Sequence, residues 1–259
     1  MLYDPFVERA LEPWSFGIYA GGQSILVGTP SGISLAPEGG AHQSITTPSV
    51  GLEQPGCTSW EPAFAIDVEW TLLAALARLG RQGGSSTYLR LSTRPVDQTL
   101  AAVPADPAAR ERRRRQVVAG AYPLRRADGA PAVTVAAMGA VVPEALAAAD
   151  RLAAQAVAAD VICVTSPGLL FTATQARAGR ARGETWVLDA AFPARRSAPL
   201  VTVLDGHPHT LAFLAGINQV RAAHLGVTTF GQSGGIEDLY RHHGLDADSI
   251  VRAALDLVD

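Results

Sequence analysis

The sequence predicts an α/β protein with two three-layer units, each containing a mostly parallel sheet. Short apolar runs alternate with longer helical segments along the chain, which is the order that strand–helix–strand units produce. The alternation stops once, over residues 94–108, where proline becomes frequent and the apolar periodicity is lost. With 259 residues, the chain is long enough to bury a core on either side of this break.

The first unit is placed at residues 1–95. A helix is expected to begin near Asp4, because the Pro5 that follows it is favourable in a first helical turn. Runs rich in apolar and β-branched residues, bounded by glycine, proline and serine, predict strands between the helices. The predicted strands are 24–28, 57–60 and 86–92, and the further helices are 46–53 and 65–79.

A linker is placed at residues 96–118. It ends in a basic cluster at residues 110–115, which lacks interleaved aromatic residues and lies in a chain with a net charge of −3. This pattern favours a solvated helical connector or an ion-pairing surface over a nucleic-acid site.

The second unit, residues 119–259, resumes the alternation of strands and helices. Because helices separate its strands, the sheet is expected to be mostly parallel. The predicted strands are 132–138, 160–165, 199–204 and 222–229, and the predicted helices are 143–157, 168–178, 235–242 and 247–257.

The composition excludes several classes of protein. Every basic residue is arginine, so enzymes that need a Schiff-base lysine or a P-loop lysine are excluded. The apolar stretches are too short to cross a bilayer, and no amino-terminal signal pattern is present, so a cytoplasmic protein without membrane or nucleic-acid partners is expected. Cys57 and Cys163 lack metal-ligand spacing and are expected to be buried thiols.

A loop rich in glycine and proline follows the predicted strand 24–28 and carries Glu38 and His42. The carboxyl end of a strand is the edge where open α/β sheets bind ligands. An imidazole can give or take a proton near neutral pH, so this loop is a candidate catalytic site. The alternative is a surface loop in which His42 caps the following helix.

Three other patterns leave alternatives open. Residues 231–235 match G-x-S-x-G, so Ser233 is either the nucleophile of a serine hydrolase or a cap for the helix that starts near Ile236. Tyr3 and Phe6 either pack in the core or stack on a flat heterocycle. The histidines of the second unit lack the carboxylates or cysteines that would complete a zinc site, so structural or interface roles are favoured and no metal ligand is assigned; they are His207, His209, His224, His242 and His243.

Several stretches together resemble the single-chain, transketolase-like type of 2-oxo acid dehydrogenase, the decarboxylating component of pyruvate dehydrogenase complexes. They are Leu-Tyr-Asp-Pro-Phe-Val, Gly-Thr-Pro-Ser-Gly, Leu-Ala-Pro-Glu-Gly-Gly-Ala-His-Gln, Glu-Pro-Ala-Phe-Ala, Tyr-Leu-Arg-Leu-Ser-Thr-Arg and Gly-Val-Thr-Thr-Phe-Gly-Gln-Ser-Gly. The resemblance covers essentially the whole chain. It implies the later part of a thiamine pyrimidine-binding domain, followed by a transketolase C-terminal-like domain.

The resemblance also implies roles for five residues. Tyr3 and Phe6 would line the aminopyrimidine ring of thiamine diphosphate, with Phe6 stacking on it. Glu38 and His42 match the substrate-facing acid and histidine of the family, and Arg94 is the expected contact for the substrate anion. The reaction implied is oxidative decarboxylation of pyruvate or a related 2-oxo acid, with transfer of the product to a lipoyl-bearing acyltransferase.

Two features of the family are missing from the sequence. There is no Gly-Asp-Gly followed by asparagine, the magnesium and diphosphate signature, and no stretch supplying the glutamate that activates the aminopyrimidine. The chain is therefore expected to be a C-terminal part that is inactive alone, with magnesium held by an N-terminal half, in a homodimer or heteromer. The alternatives are a transketolase-like ketol transfer, a non-catalytic assembly subunit and the hydrolase using Ser233.

Overall fold

The first sheet of the protein has three parallel strands. The computed structural model describes residues 1–258. The strands β1 (Ile25–Gly28), β2 (Cys57–Trp60) and β3 (Ser86–Arg90) lie in the order β1-β3-β2. A 3₁₀ turn at Asp4–Phe6 leads into helix α1 (Val7–Tyr19), and α2 (Val50–Glu53) and α3 (Ala65–Arg78) connect the strands.

The second sheet has five strands, β4 (Ala121–Arg125), β5 (Val133–Met138), β6 (Ala159–Val164), β7 (Leu200–Leu204) and β8 (Ala222–Leu225), in the order β4-β6-β5-β7-β8. All neighbours are parallel except β4, which runs antiparallel to β6. The surrounding helices are α4 (Pro107–Ala119), α5 (Val142–Ala153), α6 (Pro167–Arg177), α7 (Trp186–Ala191), α8 (His209–Ala212), α9 (Ile236–His243) and α10 (Ala247–Val258). The predicted α/β class with mostly parallel sheets is confirmed.

The central strands of the second sheet, β5, β6 and β7, are buried along their whole length and are mostly apolar because helices cover both faces. Val135, Ile162 and Val203, from β5, β6 and β7, have no exposed surface. The main apolar cluster includes residues of α5 and α10, which pack against each other. Of the two cysteines, Cys163 is buried as predicted and Cys57 is only half-buried.

The region between the sheets contains a helix and a strand, and the basic cluster at residues 110–115 lies in the helix, as the helical-connector interpretation predicted. Much of the predicted linker is helix α4, whose N-cap Asp106 accepts a hydrogen bond from the Ala109 N–H at 2.7 Å. Strand β4 follows directly and contains Pro123. Proline is tolerated there because β4 is an edge strand, where a missing N–H donor breaks few ladder bonds.

The carboxyl ends of strands from both sheets meet along one seam. After β2, the Glu61 N–H donates to the Thr165 carbonyl after β6, at 2.8 Å. The His207 N–H, after β7, donates to the Ile45 carbonyl of the first unit at 2.9 Å. The edge of each sheet that offers ligand sites therefore faces the other sheet. Across residues 1–258, helices that combine the length and the apolar character of a membrane span are not found.

Candidate functional site

The loop after β1 brings Tyr3, Glu38 and His42 together. The Tyr3 hydroxyl donates a hydrogen bond to Glu38 Oε2 at 2.6 Å. His42 Nδ1 lies 4.0 Å from the same oxygen, and the side chains of Glu38 and His42 are both about half exposed. Burial, and then the Glu38 carboxylate, raise the pKa of Tyr3 to about 12, so its hydroxyl remains a donor at neutral pH. The site therefore presents an acceptor and an imidazole to solvent.

The two aromatic residues of the predicted cofactor contact lie beside this loop. The Tyr3 and Phe6 rings pack edge to face with centroids 5.4 Å apart, and the Tyr3 centroid is 6.0 Å from that of His42. Phe6 is 44% exposed, with the Arg9 guanidinium over its ring at 5.3 Å. The structure thus groups four of the five predicted site residues, with Phe6 at the open edge of the group.

Backbone and side-chain contacts from the second unit hold the loop of Glu38 and His42 in place. Gly40 and Gly231 exchange two backbone hydrogen bonds of 3.0 and 3.1 Å. The Ser233 hydroxyl donates to the Glu38 carbonyl at 3.1 Å. A side chain at Gly39 would collide with the backbone of the Ser233 segment, which explains the glycine there. The segment at residues 231–233 therefore fixes the position of Glu38.

The structure does not give Ser233 either role that the sequence suggested. A nucleophile elbow requires a strained turn, yet the non-glycine residues with positive φ among residues 1–258 are Ala102, Ala156 and Gln219. The N-cap of α9 is Gly235, without a side-chain cap, so the capping interpretation is wrong. The hydroxyl is instead used to hold the Glu38 loop.

Arg94 contacts residues other than those of its predicted group. Its guanidinium pairs with Glu144 at 2.7 Å, donates to the Ala140 carbonyl at 2.9 Å and stacks over the Tyr240 ring at 4.5 Å. All three partners belong to the second unit. These contacts favour a role in joining the two units, and the substrate role of Arg94 stays a prediction.

A buried charge cluster, which the sequence reasoning missed, lies at the end of β3. The Arg90 guanidinium is buried and contacts Asp4 at 3.2 Å and Glu61 at 2.6 Å. It also donates to the Ser44 carbonyl at 3.2 Å. Asp205, buried at the end of β7, accepts the Ile33 N–H at 2.8 Å. The signal was available, because an arginine inside the run Tyr-Leu-Arg-Leu must find buried partners.

Burial dominates the electrostatics of this cluster. Burial raises the pKa of Glu61 to about 8 and that of Asp205 to about 6. The charge of Arg90 acts in the opposite direction on both carboxyl groups, but burial has the larger effect. Burial alone would lower the pKa of Arg90, but Glu61, Asp4 and Asp205 outweigh it and raise that pKa. Arg90 thus stays charged, and burial favours the protonated forms of Glu61 and Asp205 more than water does.

Four of the five remaining histidines form two pairs, and the ring of the fifth, His224, shares a hydrogen bond with the Thr202 hydroxyl at 2.9 Å. The rings of His207 and His209 lie 4.8 Å apart, as do those of His242 and His243. Groups of three or more histidine, cysteine, aspartate or glutamate side chains with metal-binding geometry are not found within residues 1–258.

Comparison with known proteins identifies the family. The transketolase-like TK C-terminal domain matches residues 120–246. The 6-deoxy-6-sulfo-D-fructose transketolase subunit SqwH of a Clostridium strain is 30% identical over 93% of this chain and 67% of its own length. Transketolase 1 of Escherichia coli is 27% identical over 98% of this chain. The chain therefore belongs to the transketolase family.

Solved structures show the same fold. The crystal structure of Campylobacter jejuni transketolase superimposes with a TM-score of 0.77 at 18% identity, over 98% of this chain and 35% of that one. A structure described as a split gene transketolase, inactive beta4 tetramer, gives a TM-score of 0.67 at 18% identity and is covered over 74% of its length. The chain spans about a third of the Escherichia coli relative and two thirds of the Clostridium subunit.

These relatives support one part of the family resemblance and not the other. The curated matches are transketolases, so the transketolase-like part of the resemblance is confirmed. The 2-oxo acid dehydrogenase assignment, with its decarboxylation chemistry and lipoyl partner, has no support among them. The motifs around Glu38 and His42 predicted the broader class, not the particular enzyme within it.

The described residues fit one end of thiamine diphosphate, the cofactor of transketolases. The open edge of Phe6 beside Tyr3 offers an apolar surface for a flat ring. A diphosphate with its magnesium needs oxygen ligands, and a suitable group is not found within residues 1–258. The fit is therefore restricted to the pyrimidine end.

Proposed function

We propose that this chain supplies the substrate-facing half of a transketolase active site, which transfers a two-carbon ketol group between sugars. The observation that carries the proposal is the loop of Glu38 and His42. Its side chains are open to solvent, and its backbone is held by Ser233 of the second unit. The Clostridium and Escherichia coli relatives support ketol transfer. Oxidative decarboxylation of a 2-oxo acid is the alternative, without support from these relatives.

The exposed side chains suit the handling of a polyhydroxylated substrate. When bound, thiamine diphosphate supplies a nucleophilic carbon that attacks a ketone. His42 would donate a proton to the carbonyl oxygen of the sugar and take one back from its hydroxyl, a role for which imidazole is suited near neutral pH. Glu38 would accept a hydrogen bond from a second hydroxyl, while Tyr3 holds its other side.

A second chain is part of the proposal. The residues that hold magnesium and the diphosphate would come from an N-terminal half, in a heteromer of two different subunits. Two relatives are named as a subunit and as a split gene product, which supports this arrangement. A homodimer of this chain alone would lack those residues.

Reconstitution tests this function. The purified chain is mixed with an N-terminal half of a transketolase carrying the diphosphate motif, with thiamine diphosphate and magnesium, and assayed with ketose donors and with pyruvate. We expect activity with the ketose only and only in the mixture. His42→Ala should reduce it by roughly 10²-fold or more, the usual contribution of a positioned acid–base group. The matched control is His209→Ala, which removes an exposed imidazole outside the loop.

Three outcomes would contradict the proposal. Turnover of pyruvate in place of the ketose would favour the 2-oxo acid dehydrogenase. Equal activity of the His42 and His209 variants would remove His42 from the chemistry. Cofactor binding by calorimetry without turnover of either substrate would favour a non-catalytic assembly subunit.

A further inference from the structure

A cleft of about 420 Å³ lies on the surface away from the Glu38 loop, between the end of α3 and helices α4, α6 and α7. This volume is in the range of small-molecule sites. None of its lining residues belongs to the loop of Glu38 and His42 or to the buried cluster around Arg90. The proposed transketolase function leaves this cleft without a role.

Two arginines in the cleft have cationic heads that no carboxylate neutralises. Arg78 donates to the Thr58 hydroxyl at 3.1 Å and stacks over Trp60 at 5.3 Å, and Arg115 stacks over Trp186 at 5.3 Å. Within residues 1–258, neither forms an ion pair, whereas the third arginine of the cleft, Arg114, pairs with Glu111 at 2.7 Å.

Most partly or fully buried arginines of the protein are paired with acids, among them Arg90, Arg94, Arg126 and Arg196. Arg113 resembles the cleft arginines, since its head donates to the Ala101 carbonyl at 3.3 Å, stacks over the Tyr122 ring at 4.3 Å and forms no ion pair within residues 1–258. Arg78 is half-buried, and burial lowers its pKa. A cation that has lost water without gaining an acid would be stabilised by an external anion.

The floor of the cleft is apolar and contains a fixed aromatic ring. Leu169, Val118 and Val187 line it, and the Trp186 ring is held by a hydrogen bond from its Nε1 to Glu184 at 2.6 Å. Glu184 also lines the cleft, and the hydrogen bond from the neutral indole leaves its negative charge in place. The positive charge of the lining still exceeds the negative, because Arg78, Arg114 and Arg115 line the same cleft. An apolar floor beside guanidinium groups suits a molecule that is flat and apolar at one end and anionic at the other.

We propose that this cleft binds a small organic anion that carries a flat aromatic ring. The ring packs against Val118, Leu169 and Trp186, and its phosphate or carboxylate accepts hydrogen bonds from Arg78 and Arg115. Both anions offer two oxygens to a guanidinium, so the shared chemistry defines the ligand and the experiment separates the two.

Calorimetric titration of the full chain tests the proposal with four probes. Adenosine monophosphate and indole-3-acetate are the phosphate and carboxylate forms, and adenosine and inorganic phosphate are the separate parts of the monophosphate. We expect one ring-bearing anion to bind in a 1:1 complex with a Kd of about 1 mM or tighter. The separate parts should bind roughly tenfold more weakly or not at all, because each makes only part of the contacts.

Variants locate the binding. Arg115 is exposed, so the Arg115→Gln variant should fold normally. It should weaken binding by roughly tenfold, as expected for the loss of a charge-assisted hydrogen bond. Trp186→Leu should weaken it further, with thermal unfolding used to check its fold. The matched control is Arg112→Gln. Arg112 is an exposed arginine of the same helix that lies outside the cleft, so this variant should bind the anion like the unchanged chain.

The result with the two anions identifies the ligand class. Binding of the monophosphate alone assigns a nucleotide-like ligand, and binding of the indole acid alone assigns an aromatic carboxylate. The proposal is overturned if neither anion binds, if adenosine binds as tightly as its monophosphate, or if Arg112→Gln weakens binding as much as Arg115→Gln does.

Discussion

Two groups of charged residues lie at strand ends along the seam, and they differ in exposure. Glu38 and His42 are half exposed and have few fixed partners, whereas Arg90, Asp4 and Glu61 are buried and contact one another. Strand ends in α/β sheets favour both arrangements. Burial and the number of partners separate a group that can meet a ligand from one that stabilises the fold.

Replacement of Arg90 should have the largest effect. Arg90→Met leaves Asp4 and its acidic neighbours without their buried counter-charge, and we expect a loss of about 3–5 kcal/mol in the free energy of unfolding. Urea denaturation measures it. The matched control is Arg151→Met, which removes an exposed pair with Asp248 and should cost at most about 1 kcal/mol. Similar losses of stability for both variants would show that burial does not distinguish the Arg90 cluster from an exposed ion pair.

The pH dependence of stability should reveal Glu61. Its pKa rises from 4.5 to about 8 on folding, so the folded chain binds the extra proton between these values. The stabilisation is complete below pH 4.5 and is lost as the pH rises through about 8. The slope contributed reaches at most about 1.4 kcal/mol per pH unit.

Between pH 6 and 8, Asp205 contributes little because its pKa is raised only to about 6. Glu61→Gln should therefore flatten the dependence in this window, as measured by urea unfolding at several pH values. A dependence identical to that of the unchanged chain would show that Glu61 is already ionised at neutral pH.

A pair of tyrosine variants compares the same hydrogen bond in the two settings. The Tyr122 hydroxyl donates to buried Asp67 at 2.8 Å, and the Tyr3 hydroxyl donates to half-exposed Glu38 at 2.6 Å. Tyr122→Phe should cost about 1–3 kcal/mol, because burial leaves Asp67 without a replacement for its lost partner. Tyr3→Phe should cost less than about 0.5 kcal/mol, since water replaces the hydroxyl. Thermal unfolding of both variants measures the two losses of stability. Equal losses would contradict the expected effect of burial on this hydrogen bond.

The smallest effect on stability is expected for Ser233→Ala. Its exposed hydrogen bond to the Glu38 carbonyl should contribute at most about 0.5 kcal/mol. Ketol transfer by the reconstituted complex should nevertheless fall several-fold, because the loop loses a contact that positions it. Ser197→Ala, at another exposed serine, is the control. Loss of ester hydrolysis by Ser233→Ala would instead favour the hydrolase.

Much of the fold was predictable because its strands are apolar and bounded by turn residues. The strand 57–60 was predicted with its observed bounds, and five of the remaining strand predictions agree to within two residues at each end. Strand β4 was missed since Pro123 and two flanking arginines obscure its pattern, and α7 was missed since six residues carry little periodicity. The strand predicted to reach residue 229 ends at Leu225, where glycine and polar residues follow.

The site was predicted less completely, for a physical reason. The sequence offered Tyr3, Glu38 and His42 as site residues because two motifs carry them, whereas the contacts of Ser233 and Arg94 depend on how the two units pack. Local sequence specifies an element and its exposed side, but a pairing such as Arg90 with Asp4 joins residues 86 positions apart. Such pairings require the tertiary structure.

The partners of Arg90 also determine how the protein opens. Its acids come from the turn before α1, from the end of β2 and, through Asp205, from the end of β7, so the cluster is complete only when both sheets are in place. Separating the sheets would take Asp205 away from Arg90 and would break the backbone hydrogen bonds along the seam, while Asp4 and Glu61, in the first unit, would stay beside Arg90. We therefore expect amide hydrogens in β3 and β5 to exchange with a common opening free energy, as one cooperative unit rather than two.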